Sequence, residues 1–123
     1  MLPKSERLKK RYLFNIVFKK GRKLSSEFLS FFYLFKKREN NDIPKAAFVA
    51  GLKIDKRSTK RNLIKRRIKA AYMLLKKKLI NTNKNLFNPY LAFIFIAKPN
   101  AKNATFEQIK ESMDVLLRKL QNG

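Results

Sequence analysis

The chain has 123 residues, 45% of them hydrophobic, and 31 Lys and Arg against 8 Asp and Glu give it a net charge of +23. One domain is expected across 1–123, because the apolar side chains suffice for a single core, and the excess charge opposes compaction unless a polyanion is the usual partner. Cys and His are both absent, which excludes disulfides, thiolate nucleophiles, Cys/His zinc sites and the commonest general base, and with no long apolar run the expected setting is soluble and cytoplasmic.

Residues 1–9 are polar and charged, with Pro3 near the front, and predict a flexible arm. From Lys10 to Lys20 the apolar residues Leu13, Phe14, Val17 and Phe18 fall at helical spacing, and Gly21 is placed to end that helix in a left-handed cap. The aromatic run FLSFFYLFKK at 28–37 predicts a strand. Alternation puts Phe28, Phe32 and Leu34 on one side and Leu29, Phe31, Tyr33 and Phe35 on the other, so both faces are apolar. The polar stretch RENNDIP at 38–44 predicts a turn into a second strand at 45–54, the two forming an antiparallel pair.

Ser58 or Thr59 caps a long helix whose apolar positions, from Ile64 and Ile68 to Leu75 and Leu79, run to about Ile80. A loop at 81–89 precedes YLAFIFIA at 90–97, a short β-branched and aromatic run that predicts a buried strand. Thr105 and Gln108 stand in capping-box relation, opening a last helix with a stripe from Phe106 through Ile109, Met113, Leu116 and Leu117 to Leu120. The order is α, β, β, α, β, α, and residues 22–27 leave room for one more strand.

The densest charge lies between Lys53 and Lys69, where Asp55 is the one acid, and no carboxylate follows until Glu107. Arg61, Lys65 and Lys69 are spaced i, i+4, i+8 and form a cationic stripe on the helix, flanked by Asn62 and Arg66. Cations in that array neutralise phosphates and release counterions, while an Arg fork or an Asn amide adds directional hydrogen bonds. A basic helix face is commonly just solvated surface, but here no interleaved carboxylates neutralise it. The aromatic strand has more apolar residues than one buried face needs, which leaves a second face for stacking bases. Neither paired carboxylates nor a Gly-rich phosphate loop nominates a protein active site.

LKKRYLFNIVFKKG at 8–21, followed by strands and then KRNLIKRRIK at 60–69, resembles the protein component of bacterial ribonuclease P. The family's Phe-x2-Val-Phe matches Phe14, Val17 and Phe18, with Gly21 at the following turn. Its Arg-Asn-Arg motif and the Ile-Lys-Arg after it match Arg61, Asn62, Ile64, Lys65 and Arg66. Its KP-x5-T-[FY]-E element matches Lys98, Pro99, Thr105, Phe106 and Glu107. Leu63 stands in place of the motif's second Arg, Ile54 in place of one of two consecutive Lys, and Lys56 where Gly is usual.

The resemblance implies an α+β fold, a two-layer α/β sandwich with a four-stranded mixed sheet like the second domain of a small-subunit ribosomal protein, in which the strand near 22–27 merges with the next. It also implies a protein that leaves hydrolysis to a catalytic RNA with Mg2+ bound by that RNA, the reaction being removal of the 5′ leader from precursor tRNA. Carried over residue by residue, Arg61, Asn62, Lys65, Arg66 and Lys69, with Lys53 as a weaker addition, contact RNA. Phe14, Phe18, Leu29 and Phe31 line the cleft for the single-stranded leader, and a one-residue shift in the strand would substitute Phe32 for Phe31. The competing expectation is a structural ribosomal protein, which would share the charge and size but has no need of the Arg61-Asn62 motif behind a Phe14-Val17-Phe18 helix.

Overall fold

A computed structural model describes residues 4–37, 42–82 and 86–122. Helix α1 spans Arg11–Lys20, followed by strands β1 (Arg22–Ser25), β2 (Leu29–Phe35) and β3 (Lys45–Val49), helix α2 (Ser58–Thr82), strand β4 (Tyr90–Ala97) and helix α3 (Phe106–Asn122). The strands form one mixed sheet in the order β1-β2-β4-β3. The fold is therefore α+β around a four-stranded mixed sheet, as expected.

Strand pairing departs from the sequence reading. β2 and β3 do not pair with each other; β4 lies between them, antiparallel to β2 and parallel to β3. β4 is buried on both faces at Ala92, Phe93, Ile94 and Phe95, and a strand apolar on both sides belongs in the sheet interior with helices over it. β3 reaches it through the α2 crossover, which makes that pair parallel. β1 is a separate strand in antiparallel register with β2, Lys23 opposite Phe32 and Leu24 opposite Phe31, and does not merge with it. The strand expected at 45–54 stops at Val49, and a turn closed by Ile54 N–H donating to the Gly51 carbonyl leads on toward α2.

Alternation along the strands sorts the core into two halves. Leu29, Phe31, Phe93 and Phe95 face α2 and α3, where they meet Ile64, Ile68, Tyr72, Leu75, Ile109, Met113 and Leu116. Ala47, Ala92 and Ile94 face α1, which lays Val17 against them with Leu13 and Phe14 alongside. Across the first half the rings of Phe31, Phe95 and Phe48 stand nearly parallel in neighbouring strands. Their centroids are 4.5 Å and 5.9 Å apart, with interplanar angles of 5° and 8°. Such aromatic pairs contribute about 0.5–1.5 kcal/mol each beyond their buried area. The Tyr72 hydroxyl is buried among these groups, and burial pushes its pKa above the usual tyrosine range.

Three local features position the rest. Gly21 is not left-handed: its backbone is extended, with φ −75° and ψ 168°. Glycine is required there by crowding, since a Cβ would lie 2.3 Å from the Val17 carbonyl oxygen and 2.7 Å from that of Tyr33. The capping box forms as read, with Thr105 N–H donating to Gln108 Oε1 at 2.9 Å and Gln108 N–H to Thr105 Oγ1 at 3.2 Å. The arm expected at 1–9 is docked over its described part: Arg7 bridges Ala46 in parallel fashion, Leu8 is buried, and Glu6 pairs with Lys76 of α2. An apolar residue and a carboxylate with a waiting lysine hold it down. Residues 1–3, the turn residues 38–41 and the loop residues 83–85 lie outside the described residues.

Candidate nucleic-acid interface

The candidate residues gather on two surfaces, one on each face of the sheet. At about 100° per residue, Thr59, Arg66, Asn62, Lys69 and Lys65 fall within an arc of roughly 120° on α2. That arc looks toward the β3 edge of the sheet. Together with Phe48 of β3 these residues line a cleft of about 540 Å³.

Arg61 lies at the border between that arc and the buried side of α2, and is half-buried with its Nε enclosed and without a hydrogen-bond partner. The predicted stripe of Arg61, Lys65 and Lys69 is thus recentred on Asn62, Lys65, Arg66 and Lys69. Lys53 is exposed in the turn before α2 and does not line the cleft.

Neighbouring cations are occupied in holding the fold. Arg67 donates to the Ala104 carbonyl at 2.8 Å and so ties α2 to the start of α3. Arg57 and Lys102 both reach Asp55, at 3.1 Å and 3.2 Å. Hydrogen bonds from the Arg57 side chain and backbone, with that of Lys102, hold the Asp55 carboxyl well below the usual carboxylate range. The ionised Asp55 clamps the entry to α2 against the turn after β4.

On the other face, α1 crosses the sheet and leaves rings uncovered on one flank. Phe18 is 42% exposed. Its ring meets Phe32 edge-on at 4.9 Å and lies 6.5 Å from Phe14. Lys23 Nζ sits 5.6 Å over the Phe32 ring. Ile96 and Val49 continue this apolar surface beside Ala47 and Ile94.

Leu29 and Phe31, expected in the same cleft, are elsewhere: both are 0% exposed, on the opposite face under α2 and α3. Their strand parity excludes them from the α1 side, and Phe32 takes the place assigned to Phe31. Phe28, expected to share a side with Phe32, packs instead against the α2 and α3 half of the core.

Phe48 is the residue that sequence reasoning missed. In KAAFV it looks like any core aromatic, and the available signal was its even-numbered spacing from Ala46 on a strand that proves to be an edge. Among the described residues no group of three or more His, Cys, Asp or Glu is placed to hold a metal ion, and no helix is long and apolar enough to cross a membrane.

A small α+β domain with a cation-lined cleft on one helix and half-open rings on the far side of its sheet has the surface chemistry of a nucleic-acid-binding protein. The family model described as Ribonuclease P matches residues 2–121, and the chain belongs to that family. It is 30% identical over 117 residues, covering 95% of each chain, to the ribonuclease P protein component of Alkaliphilus metalliredigens. It is also 36% identical over 103 residues, 84% of this chain and 80% of the relative, to that of Phytoplasma australiense. The fold is shared with the Staphylococcus aureus RNase P protein, at a TM-score of 0.72 and 23% identity over 94% of this chain and 95% of that one. The Thermotoga maritima RNase P protein also shares it, at a TM-score of 0.69 and 20% identity over 93% and 96%. The chain is thus a protein subunit of a tRNA-processing ribonucleoprotein endoribonuclease whose catalytic role lies with RNA. The ribosomal alternative finds no support in these matches.

Proposed function

We propose that the chain serves as one RNA-binding unit that holds two RNAs at once, the catalytic RNA on the α2 side and the single-stranded 5′ leader of precursor tRNA on the α1 side. The observation that carries this reading is the half-open cluster of Phe14, Phe18 and Phe32 with Lys23 over the Phe32 ring. Rings stack on any base and a lysine meets any phosphate, so a site of this kind accepts leaders of unrelated sequence.

Asn62, Lys65, Arg66 and Lys69, with Arg61 at their border and Lys53 before them, supply the platform for the catalytic RNA. Mg2+ is held by RNA phosphates, and the cations of the protein lower the Mg2+ concentration that substrate binding needs by relieving repulsion between the two RNAs. The reaction takes place in the cytoplasm, where precursor tRNA is made.

The test is reconstitution of the chain with a bacterial ribonuclease P RNA and precursor tRNA at low Mg2+ and moderate salt. Cleavage at the 5′ end should be stimulated, and more for substrates with a leader than for leaderless tRNA. Absent stimulation, or equal stimulation of both, overturns the reading.

A further inference from the structure

The ring ladder of Phe31, Phe95 and Phe48 does not end inside the core. Phe31 and Phe95 are sealed, but Phe48 lies on the edge strand, is half-buried, and forms part of the lining of the α2 cleft. Tyr72 supports it from the core side, at 5.5 Å between ring centroids. The ladder therefore presents an aromatic platform to a cleft otherwise lined by one hydroxyl, one amide and three cations, at Thr59, Asn62, Lys65, Arg66 and Lys69.

A duplex backbone needs only the cations, and a half-open ring below them serves no phosphate. An aromatic ring with an amide beside it is the chemistry of a nucleobase: the ring takes the π-face and the amide, both donor and acceptor, reads the polar edge. The surrounding Lys and Arg meet the phosphates on either side of that base. The volume, about 540 Å³, is of the order of small-molecule sites, roughly 300–1,000 Å³.

We infer that the α2 cleft is a pocket for one unpaired nucleotide, whose base extends the Phe31–Phe95–Phe48 stack while Asn62 bonds its edge. The inference rests on the proposed reading that α2 faces the catalytic RNA and adds to it that the contact includes an extruded base. A leader nucleotide has the same chemistry, and the two sources are separated by the test.

Binding of the wild-type chain and of Phe48→Leu is measured against a bacterial ribonuclease P RNA alone and against precursor tRNA with a leader, each over a range of salt. Phe48→Leu should weaken binding by about tenfold, the size of a lost base stack, with the salt slope unchanged because no charge is removed. Phe48→Tyr, which keeps the ring, should restore it. A loss confined to the catalytic RNA assigns the nucleotide to that RNA, and a loss confined to precursor tRNA assigns it to the leader.

Equal affinity of wild type and Phe48→Leu for both RNAs overturns the pocket while leaving the proposed function standing. Failure of the wild type to bind either RNA overturns the proposed function itself. Ultraviolet cross-linking of the wild-type complex, followed by mass spectrometry, is independent of any folding defect in the variant. A nucleotide adduct is expected on tryptic peptide 46–53, and adducts on α2 peptides with none there count against the pocket.

Discussion

The two faces of the sheet treat their aromatic rings in opposite ways. Under α2 and α3, helices of 25 and 17 residues, the rings of Phe31, Phe93 and Phe95 are sealed. Over the other face runs α1, with 10 residues, and it leaves Phe18 and Phe32 partly open. One short helix lacks the area to cover a four-stranded face. The same residue type is sealed core on one side and half-open surface on the other, decided by strand parity and by how much helix lies above.

That contrast is open to attack from both sides. The largest effect is expected from replacing Lys65, Arg66 and Lys69 together by Ala, which should lower affinity for the catalytic RNA by about 10²- to 10³-fold at moderate salt. The slope of log affinity against log salt should fall by roughly three in magnitude, since each cation accounts for about one phosphate. Equilibrium binding at several salt concentrations checks this, and an unchanged slope would move the platform away from α2.

Gly21→Ala strikes the opposite side. The new Cβ meets the Val17 and Tyr33 carbonyl oxygens, both backbone, so α1 must shift on the sheet, with a loss of about 2–3 kcal/mol in a denaturant melt. Leader binding should weaken with it, while the salt slope set by α2 stays. Phe18→Ala is gentler on the fold because 42% of the residue is already exposed. It should cost about 1–3 kcal/mol of binding for substrates with a leader and nothing for leaderless tRNA, and an equal loss for both would contradict the assigned cleft.

The smallest effect concerns Asp55. Its pKa is depressed in the folded protein, so the stabilisation is complete above the ordinary carboxylate value of 3.8 and is lost as pH falls below it toward the folded pKa. Melting temperature followed from pH 5 downward should drop more steeply in the wild type than in Asp55→Asn. Parallel curves would show that the clamp on Arg57 and Lys102 contributes nothing measurable.

The elements with strong local signals were legible in the chain itself. β4 runs over the residues expected, α2 and α3 extend only a residue or two beyond their apolar stripes, and the Thr105–Gln108 box forms as spaced. Long-range decisions were not legible. Whether β3 pairs with β2 or β4 is a choice between two strands that are both apolar on both faces, a comparison among strands and not a property of either one.

The cleft assignment failed at Leu29 and Phe31 for a related reason. LSFFYLF is apolar on both sides, so alternation defines two faces without saying which lies under two helices. Phe48 was invisible because its role comes from being third in a stack whose other members are Phe31 and Phe95, far away in the chain.

The short pairing of Arg7 and Leu8 with Ala46 also guards the molecule against itself. β3 is an edge strand carrying Ala46, Ala47, Phe48 and Val49 in succession, and an uncovered edge of that composition is a template for another chain's strand. The bridge at Ala46 occupies part of this edge, and the cations of the α2 cleft stand beside the rest, where a second copy would bring its own. This edge is thereby biased against adding a neighbour's β-strand.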